Sequence, residues 1–370
     1  MFILQRAMMK YLKTAHGGNI YRFSEETGIP LREVIDFSAS INPLGSPCSV
    51  LDEIKDKSAF LHNYPDPEAR ELRRGISEYY GIAPEQIVCG NGCTELIYMT
   101  VRSLKPERIL IPAPSFSEYE RASNTLSGTA VKRYTANEER GYRIDVGSFI
   151  HSMEDCDLSF LCNPNNPTGK VIPRERMIDI IEAAEALRCY LVVDESFMDF
   201  CPDQTVMDLV SEYAYLIVLR SMTKFYALPG LRIGYGLFPV GLLPAVLKNK
   251  EPWTVNSLAI AAGVAALKDE DYRRETLRVV KEEKNYMEMK FKQTGIGYFE
   301  SDVNYYLVKM ERSVEIMQYM ARKGILLRNC LNFLPLNESF LRIAVKKRED
   351  NERFFTELIS YERNRCCRDT

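Results

Sequence analysis

The chain has little of what marks a nucleic-acid binder, a metalloprotein or a membrane protein. Its 48 Lys and Arg do not outnumber its 51 Asp and Glu, so the net charge is −3 and the pI near 5.9. Cations are scattered, with no basic stripe and no patterned aromatic ladder, which argues against nucleic acid as a partner. No apolar run approaches the roughly 20 residues that span a bilayer. The opening Met1–Lys10 is too short and too interrupted for the apolar region of a signal peptide, so a cytoplasmic protein without a membrane partner is expected. Met8 or Met9 offers an alternative initiator. There is no internal repeat and no low-complexity tract. No C-x-x-C pair occurs in Cys89-Gly-Asn-Gly-Cys93 and no histidine lies nearby, so no metal is expected. The cysteines are dispersed, and Cys89, Cys162 and Cys189 sit in apolar runs, as reduced cytosolic thiols do. Cys366 and Cys367 lie on a polar tail and read as exposed thiols. Glycines at 90 and 92 lead into a helix, but the pattern is not G-x-G-x-x-G. No acid follows at the dinucleotide offset, which disfavours nicotinamide cofactors.

What is present is a large apolar fraction, 46%, beside 27% charged residues over 370 positions. That composition supports a substantial core and two domains, or one domain with an accessory lobe. Apolar runs at Ile87–Cys89, Arg108–Pro112, Leu158–Cys162, Tyr190–Asp194, Leu216–Leu219 and Ile233–Phe238 read as strands. Helical patterns over about Glu68–Tyr80 and Arg174–Leu187 lie between them. Strands alternating with helical crossovers predict a mostly parallel, doubly covered α/β sheet. After Trp253 a long helix from about Ser257 to Lys292, short strands near 303–310, 325–328 and 340–345, and a last helix over about 349–362 predict a smaller α+β lobe. The expected division is an N-terminal arm or lid at 1–45, a large domain at 46–255 and a small domain at 256–370.

The stretch from Ser221 to Gly234 carries the chemistry. A buried strand ends on Ser221, Thr223 and Lys224, and Arg232 follows after a small-residue turn. A lysine so placed can condense with an aldehyde if it is desolvated or set beside other cations. Two hydroxyls and a forked cation suit a phosphate dianion. Taken alone, Ser-x-Thr-Lys at a strand end is an ordinary solvated turn. Ligands on open α/β sheets sit beyond the carboxyl ends of the strands, and the remaining polar motifs gather there. They are Gly90-Asn91-Gly92-Cys93-Thr94 opening a helix, Pro114-Ser115-Phe116, Asn163-Pro164-Asn165-Asn166-Pro167-Thr168-Gly169, and Asp194 closing a strand. N–H groups exposed at that helix start make an anion site.

Together these residues resemble the fold-type I enzymes of pyridoxal 5′-phosphate, the aspartate aminotransferase superfamily, from about Asp36 to Arg342. The resemblance implies that Lys224 bonds the cofactor and shuttles protons, and that Asp194 faces the pyridine nitrogen. It places Phe116 on the ring face and Asn166 on the ring's 3′-oxygen and at the substrate. Gly92, Cys93, Thr94, Ser221, Thr223 and Arg232 would take the phosphate. Tyr64 would serve the neighbouring subunit's cofactor, which makes a homodimer the expected assembly. Arg342 resembles the arginine that clamps a substrate carboxylate, and Arg328 the one that meets a substrate phosphate. His16 and Asn42, in loops rich in Gly and Asn, are expected substrate contacts, with Asn19 beside them.

Within the superfamily the chain is similar to the L-threonine-O-3-phosphate decarboxylases of cobalamin synthesis and to the histidinol-phosphate aminotransferases. Two features lean to the decarboxylases. One is the entrance, His16-Gly17-Gly18-Asn19 with Asp36-Phe37-Ser38-Ala39-Ser40-Ile41-Asn42-Pro43. The other is Phe197, where aminotransferases usually place a tyrosine. The substrate class implied is a phosphorylated amino acid.

Overall fold

The computed structural model describes residues 16–366; the readings of Met1–Lys10 and of the Cys366 and Cys367 thiols fall outside what is described. Its contacts form two compact units. One holds Leu44–Asn166 and Lys170–Glu275; the other takes the chain up to Pro43, Pro167–Gly169 and the chain from Thr276 onward.

The first unit is built on a seven-stranded sheet. Its order across the sheet is Ile87–Gly90, Gly234–Leu237, Leu216–Ser221, Tyr190–Asp194, Leu158–Cys162, Arg108–Ala113 and Ala130–Thr135. All pairings are parallel except those of Gly234–Leu237, which runs antiparallel to both neighbours. The central strands are buried along their whole length, which explains why they read as continuous apolar runs rather than alternating ones. Leu96, Ile97 and Val101 of the Cys93–Leu104 helix pack on Ile109, Ile111, Phe160, Val192, Ile217 and Leu219. Each such side chain contributes about 1.5–3 kcal/mol by leaving water. The polar ends of these strands are thereby fixed on a rigid layer.

The single long helix expected after Trp253 is two helices, Ser257–Lys268 and Glu270–Thr294. Asp269 separates them, its Oδ1 accepting from the Tyr272 N–H at 3.0 Å as an N-cap does. Ser257–Lys268 packs on Cys48–Lys57 and Arg70–Tyr80. A Cβ on Gly263 would lie 2.7 Å from Leu72 and 2.8 Å from Ile233, so this close approach needs glycine. For that reason residues 256–275 group with the sheet-bearing unit, and the division falls at Thr276 rather than 256.

The second unit carries a four-stranded antiparallel sheet in the order Arg328–Asn329, Phe340–Ala344, Tyr305–Lys309, Gly297–Tyr298. A two-stranded parallel pair joins Ile35–Asp36 to Ile325–Leu326. Its core gathers Phe37, Phe291, Tyr306, Ile316, Leu341, Ile343, Phe354 and Phe355. Among the described residues no helix is long and apolar enough to cross a membrane.

Candidate active site

In the sheet-bearing unit Gly92, Cys93, Asp194, Ser221, Lys224 and Arg232, among the expected cofactor residues, gather at the start of the Cys93–Leu104 helix. Gly92 is its N-cap, at φ +82°, and no side chain caps the helix there. Gly92 itself thus takes none of the first-turn N–H groups, whose partial positive charge suits an anion. Gly234 crosses beneath: a Cβ there would stand 2.8 Å from the Cys93 nitrogen and 2.9 Å from the Arg220 carbonyl. A Cβ on Gly92 would come 2.5 Å from an Arg232 guanidinium nitrogen, so the cation lies against the helix start. Thr94 stands half-buried in the first turn. Ser221 and Thr223 are buried with their hydroxyls 2.8 Å apart, and the Thr223 N–H donates to Ser221 Oγ at 3.3 Å. Bare backbone, two hydroxyls and a guanidinium make a cradle for a dianion.

Asp194 closes the central strand and is 2% exposed. Its Oδ2 accepts the Tyr119 hydroxyl at 2.7 Å, and its Oδ1 accepts the Ser196 hydroxyl at 2.5 Å and the Ser196 N–H at 3.0 Å. Burial pushes this carboxyl above its ordinary range, while the Ser196 and Tyr119 donors and the nearby Lys224 charge pull it partly back. A carboxylate so desolvated calls for a further cationic partner. Lys224, half-buried three residues past the strand end, is near enough for its charge to act on Asp194. Phe116 meets Tyr119 edge to face, centroids 5.7 Å apart, and Tyr119 stacks on Phe160 at 4.7 Å. Asn166 is buried, as is Phe197.

Sequence reasoning missed Tyr119 and Ser196, whose signals were spacing: Tyr119 lies three residues past Phe116, and Ser196 two past Asp194. It also missed Arg220, buried between Glu195 at 2.9 Å and Asp199 at 2.6 Å. Desolvation pulls this guanidinium down, but Asp199, the Tyr80 and Tyr235 hydroxyls and Glu195 hold it well above its usual range. The Arg220 carbonyl accepts the Cys93 thiol at 2.8 Å, and burial pushes that thiol up to about 12. Cys93 is thus a protonated strut and not a nucleophile. Tyr64 is 83% exposed and leans on the Trp253 ring, centroids 5.1 Å apart.

In the second unit Arg328 and Arg342 stand directly opposite each other in register on adjacent antiparallel strands. They are 3% and 7% exposed. Arg328 donates to Asn332 Oδ1 at 2.6 Å and lies 5.3 Å from the Phe333 ring centroid. Arg342 donates to the Ser38 carbonyl at 2.7 Å and lies 5.2 Å from the Tyr305 centroid. Like charges facing across strands are destabilising, and an anion between or beside them relieves that cost. Desolvation pulls Arg342 below its usual range, a strain that an anionic ligand reverses. His16 lines a small cavity with Ser38 and Arg328. Asn19 is spent on the local fold: its Oδ1 accepts the Arg22 N–H at 3.0 Å as the cap of the Ile20–Thr27 helix. The buried Asn42 donates to Thr276 Oγ1 at 2.7 Å.

The family model described as "Aminotransferase class I and II" matches residues 32–358. A curated threonine-phosphate decarboxylase of Salmonella typhimurium is 33% identical over 354 residues, 95% of this chain and 97% of its own. The crystal structure of L-threonine-O-3-phosphate decarboxylase from Porphyromonas gingivalis superposes with a TM-score of 0.79 at 25% identity, covering 88% of this chain and 99% of that one. That of histidinol-phosphate aminotransferase from Clostridium acetobutylicum gives 0.83 at 32% identity, covering 89% and 99%.

Proposed function

The chain belongs to the aminotransferase class I and II family, and from that premise we propose that it is a pyridoxal-5′-phosphate-dependent carboxy-lyase. It converts L-threonine O-3-phosphate to (R)-1-aminopropan-2-ol O-phosphate and CO₂, a step of cobalamin biosynthesis. The observation that carries the reading is Arg328 facing Arg342 in register, both buried. Two adjacent guanidiniums suit a short substrate with two anionic groups, a carboxylate and a phosphate. The name of the Salmonella relative supports it. So does Phe197, buried and without the hydroxyl that aminotransferases place there.

The residues present fit the cofactor. The bare backbone at Gly92 and Gly234 lets Arg232 and the strand below lie against the helix start, where a Cβ would clash, and Asp194 is a buried acid in want of a cation. When bound, pyridoxal phosphate supplies an electron sink for the pair released as a bond at the substrate Cα breaks. Gly92, Cys93 and Thr94 offer main-chain N–H groups and a hydroxyl to its phosphate, and Ser221, Thr223 and Arg232 complete the ligand set. Asp194 would keep a proton on the ring nitrogen, and Tyr119 and Ser196 hold that carboxylate in place. Phe116 would cover a ring face and Asn166 would donate to the 3′-oxygen. Lys224 would anchor the cofactor, and its amine is the group that would hold or deliver a proton at the substrate Cα. Arg342 takes the substrate carboxylate, while Arg328 and His16 take the phosphate and Asn42 supports the loop beside them.

The residues that orient the substrate carboxylate, Arg342 among them, would decide whether the carboxylate or a proton leaves Cα. Exposed Tyr64, beside Trp253, Leu61 and Phe60 on the surface, supports a homodimer in which Tyr64 reaches the neighbouring subunit's cofactor phosphate. The free thiols among the described cysteines suit a cytoplasmic enzyme. The test is CO₂ release from phosphothreonine against 2-oxoglutarate-dependent turnover of histidinol phosphate. Release of CO₂ is expected; turnover of histidinol phosphate alone would replace this reading by the aminotransferase one.

A further inference from the structure

The guanidinium of Arg342 is anchored by a main-chain carbonyl, that of Ser38. A carbonyl fixes the plane of a guanidinium without neutralising its charge, so the direction of that one C=O matters. Ser38 is itself held from two sides. Asp36 Oδ1 accepts the Ser38 N–H at 2.8 Å, the Ser38 hydroxyl at 2.6 Å and the Ala39 N–H at 3.2 Å. The Gly18 N–H donates to Ser38 Oγ at 2.7 Å, and a Cβ on Gly17 would collide with the Ser38 carbonyl.

The segment bearing Asp36 bonds on one side to Leu326 and on the other to Ala344. The Phe37 N–H donates to the Leu326 carbonyl at 2.9 Å, two residues before Arg328. The Phe37 carbonyl accepts from the Ala344 N–H at 3.1 Å, two residues after Arg342. Lys346 Nζ donates to the Ala39 carbonyl at 3.4 Å. One carboxylate oxygen therefore gathers three donors and sets a turn whose carbonyl holds the arginine.

We propose that Asp36 is a positioning residue for the carboxylate-binding arginine: through Ser38 it sets the orientation of the Arg342 guanidinium without touching substrate. This rests on the reading of Arg342 given above. It separates recognition of the carboxylate from recognition of the phosphate, because only ligands that carry a carboxylate depend on the plane of Arg342.

The test compares holoenzyme carrying Asp36→Ala with the wild type and with Asp36→Asn, whose amide oxygen still accepts. Asp36→Ala is expected to raise the KM for phosphothreonine about tenfold or more, the size of a misdirected charge-assisted bond. Its kcat should stay within about threefold. Asp36→Asn should recover most of the loss. Competitive inhibition by (R)-1-aminopropan-2-ol O-phosphate, which has no carboxylate, should be unchanged in both. An unchanged KM in Asp36→Ala, or inhibition by the amine phosphate weakened in parallel with the KM, would overturn the proposal. Should Asp36→Ala not fold, Ser38→Ala, which keeps the carbonyl and the N–H bond to Asp36 but removes the hydroxyl held by Asp36 and Gly18, is expected to raise the KM about threefold; no change there would overturn it equally. A wild type that releases no CO₂ from phosphothreonine removes the decarboxylase reading instead. In that case the same split, read on 2-oxoglutarate, which carries carboxylates, against histidinol phosphate, which carries none, decides the role of Asp36.

Discussion

On Asp194 two hydroxyls and a main-chain N–H converge in a buried, desolvated place, and burial raises its pKa. A carboxyl raised in the folded state favours folding in its protonated form. Its contribution is full below the ordinary aspartate value of about 3.9 and is lost as pH climbs through the raised one. Cofactor-free Asp194→Asn should therefore melt about 2 °C or more above cofactor-free wild type near neutral pH. The gap should close toward pH about 4, as thermal melts over a pH series would show. The same variant should retain pyridoxal phosphate poorly, which a titration followed by fluorescence checks. At Lys224 the expectation is simpler. Lys224→Ala should lose the long-wavelength absorbance of a lysine-bound cofactor, and its turnover should fall by at least about a hundredfold, the lower end for a positioned acid–base group. Full turnover in that variant would remove the central assignment.

Among the elements, the Cys93–Leu104 helix and the Gly234–Leu237 strand matter together, because the strand passes close under the helix start. In Gly234→Ala the added Cβ would press on the Cys93 nitrogen and the Arg220 carbonyl. We expect a loss of about 1–3 kcal/mol in stability and weaker binding of pyridoxal phosphate, read by denaturant melts and cofactor titration. Unchanged binding would mean that this backbone does not form the cradle. The Phe340–Ala344 strand presents Arg342 opposite Arg328. Arg342→Ala should raise the substrate requirement about 10- to 100-fold, by loss of a charge-assisted contact, while bound cofactor stays in place. Steady-state kinetics beside an absorbance spectrum checks both halves. The buried strands of the sheet-bearing unit were legible because burial on both faces writes a continuous apolar run, whereas the edge strand Ala130–Thr135, largely exposed, writes none and was not read. The break at Asp269 was not, since an aspartate among helix formers reveals itself as a cap only when its oxygen is seen on the Tyr272 N–H.

For the whole molecule the open question is assembly. Tyr64 is exposed with its ring tilted against Trp253, and the proposed homodimer places this surface at the subunit contact. Sedimentation should report a dimer, and Tyr64→Phe should weaken cofactor retention about threefold to tenfold through loss of one hydrogen bond. A fully active monomer would refute the shared site. What the sequence determined by itself is the chemistry: the lysine, the acid at a strand end, the glycines before a helix and the hydroxyl pair are types and spacings that no packing detail can supply. What only the tertiary structure decided is partnership over long distances in the chain. Tyr119 meets Asp194 across 75 positions, Arg220 lies between Glu195 and Asp199, and Ser38 holds Arg342 across 304. Such pairings depend on which buried surfaces close on one another, and a linear pattern carries the residues but not their meeting.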